Sequence, residues 1–330
     1  MTRQWAKVAQ TYARPNFTRS LRQLFVTLVL MAGLWLTTIL LVRNGVWPAL
    51  LLTIPAAGLL VRLFMIQHDC GHRSFFRSAK LNDLVGRFLG VLTLTPYEQW
   101  RRAHATHHAT SGNLTRRGIG DLDLLTVEEY RALPRLKRFL YRAYRNPLVL
   151  FSFGPVYLFV IKHRIPWRVA EKGRMPMASV MWTNVGIAAV LGLAVVVFGW
   201  KAVLLTQGPI TLLASAIGMW LFYVQHQFEN AHWREEKNWS FEDAALRGSS
   251  YYHLPRILNW FTADIGVHHI HHLCGRIPNY ELRRCMRENP EMSAETPRLT
   301  LLQSLKCARL ALWDEARDRL ISFREAAVAA

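Results

Sequence analysis

The sequence predicts an all-α integral membrane protein, with four transmembrane helices in two hairpins and a helical cap on one side of the bilayer. Three observations carry this. Hydrophobic residues make up 51% of the 330-residue chain. The apolar residues are gathered into four runs of about 20, the length a helix needs to cross a bilayer. The net charge of +19 lies between those runs. A basic protein that binds nucleic acid seldom carries long apolar runs, so a membrane is the expected setting and nucleic acid is not an expected partner.

The four runs cover 24–42, 46–66, 180–200 and 202–224. Runs at 84–95 and 148–161 are too short to cross; they read as interfacial or re-entrant segments, or as ordinary core helices. Segment 1–23 holds five Lys and Arg, 67–147 holds fourteen and 225–330 holds fourteen, whereas the two turns inside the hairpins hold one each, Arg43 and Lys201. Positive charge gathers on the cytoplasmic side. Both termini and a cap made of 67–179 and 225–330 are therefore expected in the cytoplasm, in a single domain spanning 1–330. Trp47 and Trp200 fall at the far ends of the hairpins, where an aromatic belt belongs. The first apolar run is too long for a signal peptide and no small-residue cleavage site follows it. Cys70, Cys274, Cys285 and Cys307 all fall in the cap and form no CxxC pair, so reduced thiols are expected. In the tail from Arg298 to about Phe323, Leu302, Leu305, Leu310 and Trp313 recur at helical spacing, for a helix on the membrane surface or on the protein's own core.

The chemistry sits in the histidines. Nine of the thirteen fall in three tight groups: His68 and His72 in HDCGH, His104, His107 and His108 in HATHH, and His268, His269, His271 and His272 in HHIHH. Residues three and four apart share a helix face, so each group presents two or three imidazoles in one direction. His269 is turned about 100° from His268 on an ideal helix and points elsewhere. One such pair on a helix is more often an ordinary histidine pair than a metal site. Three groups on one side of a membrane are different, because eight converging imidazoles repel once protonated, and a metal favours the neutral form. Imidazole suits Zn, Cu, Fe and Ni. A structural zinc site closes with four ligands and usually includes cysteine, and eight or nine histidines are too many for one ion. They fit two ions with about four ligands each and open positions for O2. Such a pair suits chemistry on a mid-chain methylene, which has no acidic proton and no leaving group, so acid–base residues cannot activate it. All-nitrogen neutral ligands leave the positive charge of the metals uncompensated, which shapes their redox behaviour.

These residues resemble the membrane fatty acid desaturase family, whose HxxxH, HxxHH and HxxHH boxes the three groups match. Longer stretches carry the resemblance too: QHDCGHRSFF at 67–76, SGNLTRRGIGDLDLLTVEEY at 111–130, YVQHQFENAHW at 223–233 and DIGVHHIHHLCGRIPNY at 264–280. It covers about residues 60–282, and the HDCGH form points to the bacterial and plant-type acyl-lipid delta-12 (omega-6) branch. The resemblance implies two iron ions, O2 as co-substrate, an acyl lipid substrate among membrane lipids, and a multi-pass enzyme of a bacterial inner membrane with its active site in the cytoplasm. The ligands it implies are His68, His72, His104, His107, His108, His268, His271 and His272, completed by an extra histidine outside the boxes. His226 stands at that position. His232, 120° away from His226 on one straight helix by the 3.6-residue repeat, is the second candidate. Some relatives carry a water-binding Asn four residues before the extra histidine; Phe222 stands there instead, with Asn230 or His232 as substitutes. The haem-binding HPGG motif is absent and no cytochrome domain is fused, so electrons are expected from a separate ferredoxin or cytochrome with its reductase, which a basic cytoplasmic face would steer. Those charges equally suit orientation in the membrane and anionic lipid.

Asp69 is placed either to accept a hydrogen bond from a ligand imidazole or to pair with Arg73. Asp121 and Asp123 read as structural, and His163 and His253 stand alone. Two other functions fit parts of the pattern. A lipid, alkane or carotenoid hydroxylase or ketolase shares the same hydrogen abstraction. A membrane metal transporter needs ionisable ligands along a path through the bilayer, yet the four spanning runs contain only Arg62 as a charged residue and no histidine.

Overall fold

A computed structural model describes residues 5–166 and 177–328 of the chain. Residues 167–176, within the expected cap, and the outermost residues at both ends lie outside the described residues. A short helix α1 (Trp5–Gln10) leads to α2 (Phe17–Arg43). The side chain of Asn16 caps α2 by accepting from the Arg19 amide at 3.0 Å. A 3₁₀ segment, Trp47–Leu52, turns the chain back into α3 (Thr53–Gly71). The two helices of this first hairpin have the length and apolar composition to cross a bilayer.

Both helices that carry histidines at their ends run beyond the hydrophobic stretch. The run ends near residue 66, yet α3 continues to Gly71 with Gln67, His68, Asp69 and Cys70 all buried. Protein partners replace water there: the Gln67 amide donates to the Thr95 carbonyl at 3.2 Å, and the Thr93 hydroxyl donates to Gln67 Oε1. His68 therefore lies inside the helix, not after it.

The middle segment holds α4 (Ala79–Leu92), α5 (Tyr97–Thr110), a two-residue strand β1 (Leu125–Thr126), α6 (Val127–Ala132) and α7 (Arg135–Tyr144). The run expected at 84–95 is thus most of α4, which packs along α3. The run at 148–161 is an irregular helix in which α8 (Gly154–Val156) separates two π-helical stretches, Val149–Phe153 and Tyr157–Ile161. It is bent by 61° from α7 and is apolar enough to count with it as a broken span. The second hairpin is α9 (Met177–Phe198) and α10 (Trp200–His226), joined at Gly199, whose φ of +86° only glycine adopts freely. The two outer turns meet, with Arg43 donating to the Val197 carbonyl at 3.3 Å.

After α10 come α11 (Phe241–Gly248), β2 (Tyr251–His253), α12 (Arg256–Phe261), α13 (His268–Leu273) and α14 (Asn279–Glu288). The tail is β3 (Arg298–Thr300), α15 (Leu301–Ser304), a 3₁₀ turn at Leu305–Arg309, the hairpin β4 (Leu310–Asp314) and β5 (Arg319–Ser322), and α16 (Phe323–Val328). This corrects two expectations. The fold is mainly helical but not all-α, since β4 pairs with β1 and antiparallel with β5, and β2 pairs with β3. The tail is no single helix either: the apparent spacing joins Leu302 and Leu305, both exposed, to Leu310 and Trp313 on a buried strand. The reason is local. Asp314 Oδ1 accepts from the amides of Ala316 and Arg317, both at 3.1 Å, and Asp318 takes a φ of +51°, a side-chain-capped turn that reverses the strand.

Candidate metal centre

Four elements bring nine histidines together in two groups. His68, His72, His104, His108 and His271 form one, and His107, His226, His268 and His272 form the other, with the nitrogens of each group within 4.8 Å of one another. α3 serves only the first group, His72 being its capping residue, and α10 serves only the second, through its last residue. α5 and α13 serve both. On α5 the i and i+4 residues, His104 and His108, turn to the first group while His107 turns to the second. On α13 the pattern is inverted: His268 and His272 join the second group and His271 the first. An i+3 side chain lies about 100° from the i+4 side chain around the helix, so one short helix reaches both groups.

The donor set fits metal ions. In the second group His107 Nε2 lies 3.2 Å from both His226 Nε2 and His272 Nε2, and His268 Nε2 lies 3.0 Å from His226 Nε2. In the first, His108 Nε2 is 3.2 Å from His104 Nε2 and 3.1 Å from His271 Nε2. Two nitrogens each about 2.1 Å from one ion sit about 3.0 Å apart at a right angle and about 3.4 Å apart at the tetrahedral angle. Hydrogen bonding alone does not explain the pattern. In each chain of contacts an inner nitrogen meets two others, yet a neutral imidazole nitrogen has one proton or one lone pair. His72 Nε2 is buried with no partner among the described residues. Burial first, and neighbouring imidazoles next, hold His72, His104, His108, His268, His271 and His272 well below the ordinary histidine range, so the rings are neutral and able to ligate.

Carboxylates orient two rings. Asp69 Oδ1 lies 3.3 Å from His68 Nδ1, and its Oδ2 accepts from the amide and the side chain of Asn279, both at 2.8 Å. Asp69 therefore ties α3 to the start of α14, and Arg73 pairs with Asp83 instead. Asp121, read from sequence as structural, accepts from His107 Nδ1. The signal for it was chemical: a ligating imidazole donates its other N–H, often to a carboxylate. Nothing in the spacing chose Asp121 over Asp123, whose residue is exposed. Two aromatic rings also flank the histidines. Trp100 stacks on His104 with centroids 4.6 Å apart, and Phe222 packs on His107 and His226 at 5.2 and 5.3 Å.

The remaining named residues lie elsewhere. His269 is buried, faces away and bonds Ser293 Oγ at 2.8 Å. His232 and Asn230 do not reach the groups; with Arg247, Glu295 and Asp318 they line a surface pocket of about 350 Å³. The chain leaves helical geometry at Gln227, where Arg145 holds the side chain at 2.9 Å, and so turns away before residue 230. His163 and His253 join neither group, and all four cysteines are free thiols.

The chain is mainly helical, with four helices long and apolar enough to cross a bilayer and two all-histidine groups that could each hold a metal ion. Comparison with known proteins gives its family. The family model for fatty acid desaturases matches residues 45–300. A fatty acid desaturase of Bacillus subtilis is 43% identical over 322 residues, covering 98% of this chain and 91% of that one. An sn-1 acyl-lipid omega-3 desaturase (ferredoxin) of Synechocystis is 30% identical over 82% of this chain and 74% of its own length. An sn-1 oleoyl-lipid 12-desaturase of the same organism is 30% identical over 67% of this chain and 62% of its own. The chain belongs to the fatty acid desaturase family, whose members are oxidoreductases that depend on iron.

Proposed function

We propose that this enzyme is an O2-dependent acyl-lipid desaturase that inserts a cis double bond, of the delta-12 (omega-6) type, into a monounsaturated C18 chain. The observation that carries the reading is the pair of all-histidine groups bridged by α5 and α13. His68, His72, His104, His108 and His271 would hold one iron, and His107, His226, His268 and His272 the other. Two irons so held supply O2-dependent removal of two hydrogen atoms from adjacent methylenes. The balance is one methylene pair, O2, two electrons and two protons giving one alkene and two waters. The electrons come from a separate one-electron donor, a ferredoxin or cytochrome. The protein's part is to bury the imidazoles away from water, to fix the His107 ring through Asp121 and to present apolar rings, Trp100 and Phe222, on the flanks of the site. The positive-inside pattern supports a cytoplasmic site with two hairpins dipping into an inner membrane. The omega-6 assignment is supported by the HDCGH form and by the 12-desaturase relative.

The test is expression in a host whose lipids are only saturated and monounsaturated, followed by mass spectrometry of the fatty acids. A new C=C at carbon 12 is expected. A hydroxyl or keto product without an alkene would replace the desaturase reading with that of a hydroxylase or ketolase.

A further inference from the structure

Of the described lysines and arginines, only Arg62 and Arg145 are buried, and Arg145 is the deeper, at 3% exposed. All of its hydrogen bonds among the described residues go to neutral oxygens. A buried cation without a counter-charge is costly. What Arg145 gains in return is the joining of three segments distant in sequence. Nη1 donates to the Asp123 carbonyl at 3.3 Å. Nη2 donates to Gln227 Oε1 at 2.9 Å and to the Leu310 carbonyl at 3.0 Å, and lies 3.4 Å from the Tyr223 hydroxyl.

Two of these segments serve the second histidine group. Gln227 directly follows His226, the last residue of α10. Tyr223 stands four residues before Gln227, on the same face of the last turn, and its hydroxyl donates to the Leu310 carbonyl at 2.6 Å. Arg145 and Leu310 thus grip the end of α10 beside His226. The other segment is the loop that carries Asp121, whose carboxylate accepts from His107 Nδ1. The end of α7 holds this loop by its backbone. The Tyr144 hydroxyl accepts from the Asp123 amide and the Tyr141 hydroxyl from the Leu125 amide, both at 3.2 Å, while Arg145 takes the Asp123 carbonyl. None of the elements that Arg145 touches carries a histidine of the first group.

We propose that Arg145 is a positioning residue for the second histidine group, a clasp that sets the direction of His226 and, through the Asp121 loop, of His107. The inference rests on the two groups holding metal ions, and not on which product is made. The planar guanidinium is what the arrangement requires. Its two Nη atoms reach acceptors on separate segments at once, whereas the ammonium of lysine is a point donor on a flexible stem. Lysine at 145 keeps the charge and loses the fork.

The test compares the full native chain with Arg145→Lys and with the milder Gln227→Met, which cuts only the link to α10. Iron is counted after dialysis against a chelator that leaves both ions in the native protein. Arg145→Lys is expected to fall from about two irons per chain toward one, through a second group weakened about 10- to 100-fold, and Gln227→Met should be weakened by a smaller factor. Adding His226→Ala to Arg145→Lys should remove no more iron, because both act on one group, whereas adding His72→Ala should empty the chain. Hydrogen exchange of the iron-free proteins gives a readout without metal. Arg145→Lys should speed exchange of the amides at 123–125 and 224–228 by roughly tenfold or more and leave those at 66–72 unchanged. Both irons retained with native exchange at the two segments overturns the proposal. Equal loss of iron from both groups, or exchange raised as much at 66–72, overturns it too. If Arg145→Lys does not fold, Gln227→Met decides: faster exchange confined to 224–228 supports the clasp, and native exchange there refutes it. A native chain that binds no iron would remove the metal reading, while the exchange measurement would still decide whether Arg145 holds the two segments.

Discussion

Replacing Asp121 by Asn keeps the shape of the side chain and removes the carboxylate that accepts from His107 Nδ1. The pair is shielded from solvent, with the side chains 0% and 6% exposed, so little of the interaction is screened. Asp121 Oδ2 has no partner among the described residues, so His107 is the evident reason for this carboxylate to be buried. Losing such a support to a ligand typically weakens metal binding by about 10- to 100-fold, or about 1.4–2.8 kcal/mol at 1.4 kcal/mol per decade. That range matches the roughly 1.5–3 kcal/mol of a hydrogen bond to a charged group. Iron affinity, measured by competition with a chelator, should fall by that factor in Asp121→Asn and not in the exposed Asp123→Asn. Gly120→Ala should reproduce the loss by another route. Gly120 has a φ of +78°, and a Cβ there would stand 2.7 Å from the Ala103 carbonyl and 3.0 Å from His107 Cβ, so the loop carrying Asp121 would be pushed off α5. The left-handed backbone adds about 1–2 kcal/mol of folding cost. Native iron affinity in both Asp121→Asn and Gly120→Ala would refute this account of His107.

Three further outcomes are expected. His226→Ala should lower iron content from about two per chain toward one, because α10 serves only the second group, while His232→Ala and His269→Ala should keep their iron; metal analysis of the purified variants decides this, and an iron-depleted His232→Ala with an intact His226→Ala would reverse the assignment. Iron-free protein should lose thermal stability as pH falls below about 6.5. His269, pushed down to about 3 by burial, refuses a proton that the unfolded chain accepts at its ordinary 6.5, so stability present above 6.5 declines toward 3; a melting temperature flat from about pH 8 to 5 would contradict this. Tags at either terminus or within 111–130 should be protected in right-side-out cells and one near Asn44 should be accessible, whereas an accessible 111–130 loop would invert the assigned orientation.

What the sequence made legible follows from periodicity. The four long helices were readable because apolar length is a global property of a run, and the histidine groups because three- and four-residue spacings translate directly into a helix face. The helix ends were not. α3 and α10 extend past their apolar runs to His68 and His226 because Gln67 and Gln225 find buried partners at Thr95 and Ile265, and such partners are distant in sequence. The β4–β5 hairpin was misread for a related reason: four leucine and tryptophan positions matched a helical period by combining two elements. Asp121 escaped because its role depends on how a loop folds back onto α5. His232 was overvalued because its closeness to His226 in sequence says nothing about the turn at Gln227.

The way the two groups share their ligands has a consequence for how the centre assembles. α3 and α10 each touch one group, whereas α5 and α13 each contribute to both. An ion in the first group would fix His104 and His108, and with them the rotation of α5 that aims His107. It would also fix His271, and with it the rotation that aims His268 and His272. α13 is only six residues long, and a helix of that length is marginal by itself. Its packing against α11, with Ile270 and Leu273 in the same apolar cluster as Ala245 and Leu282, seats it, and ligands on either side would add to that. Ligation in the first group would therefore help to orient three of the four nitrogens of the second, with His226 left to the packing of α10. Metal binding at these groups would thus be coupled to the seating of α5 and α13. The HxxHH spacing used twice, with its i+3 residue assigned to opposite groups, is the feature of the sequence that couples them.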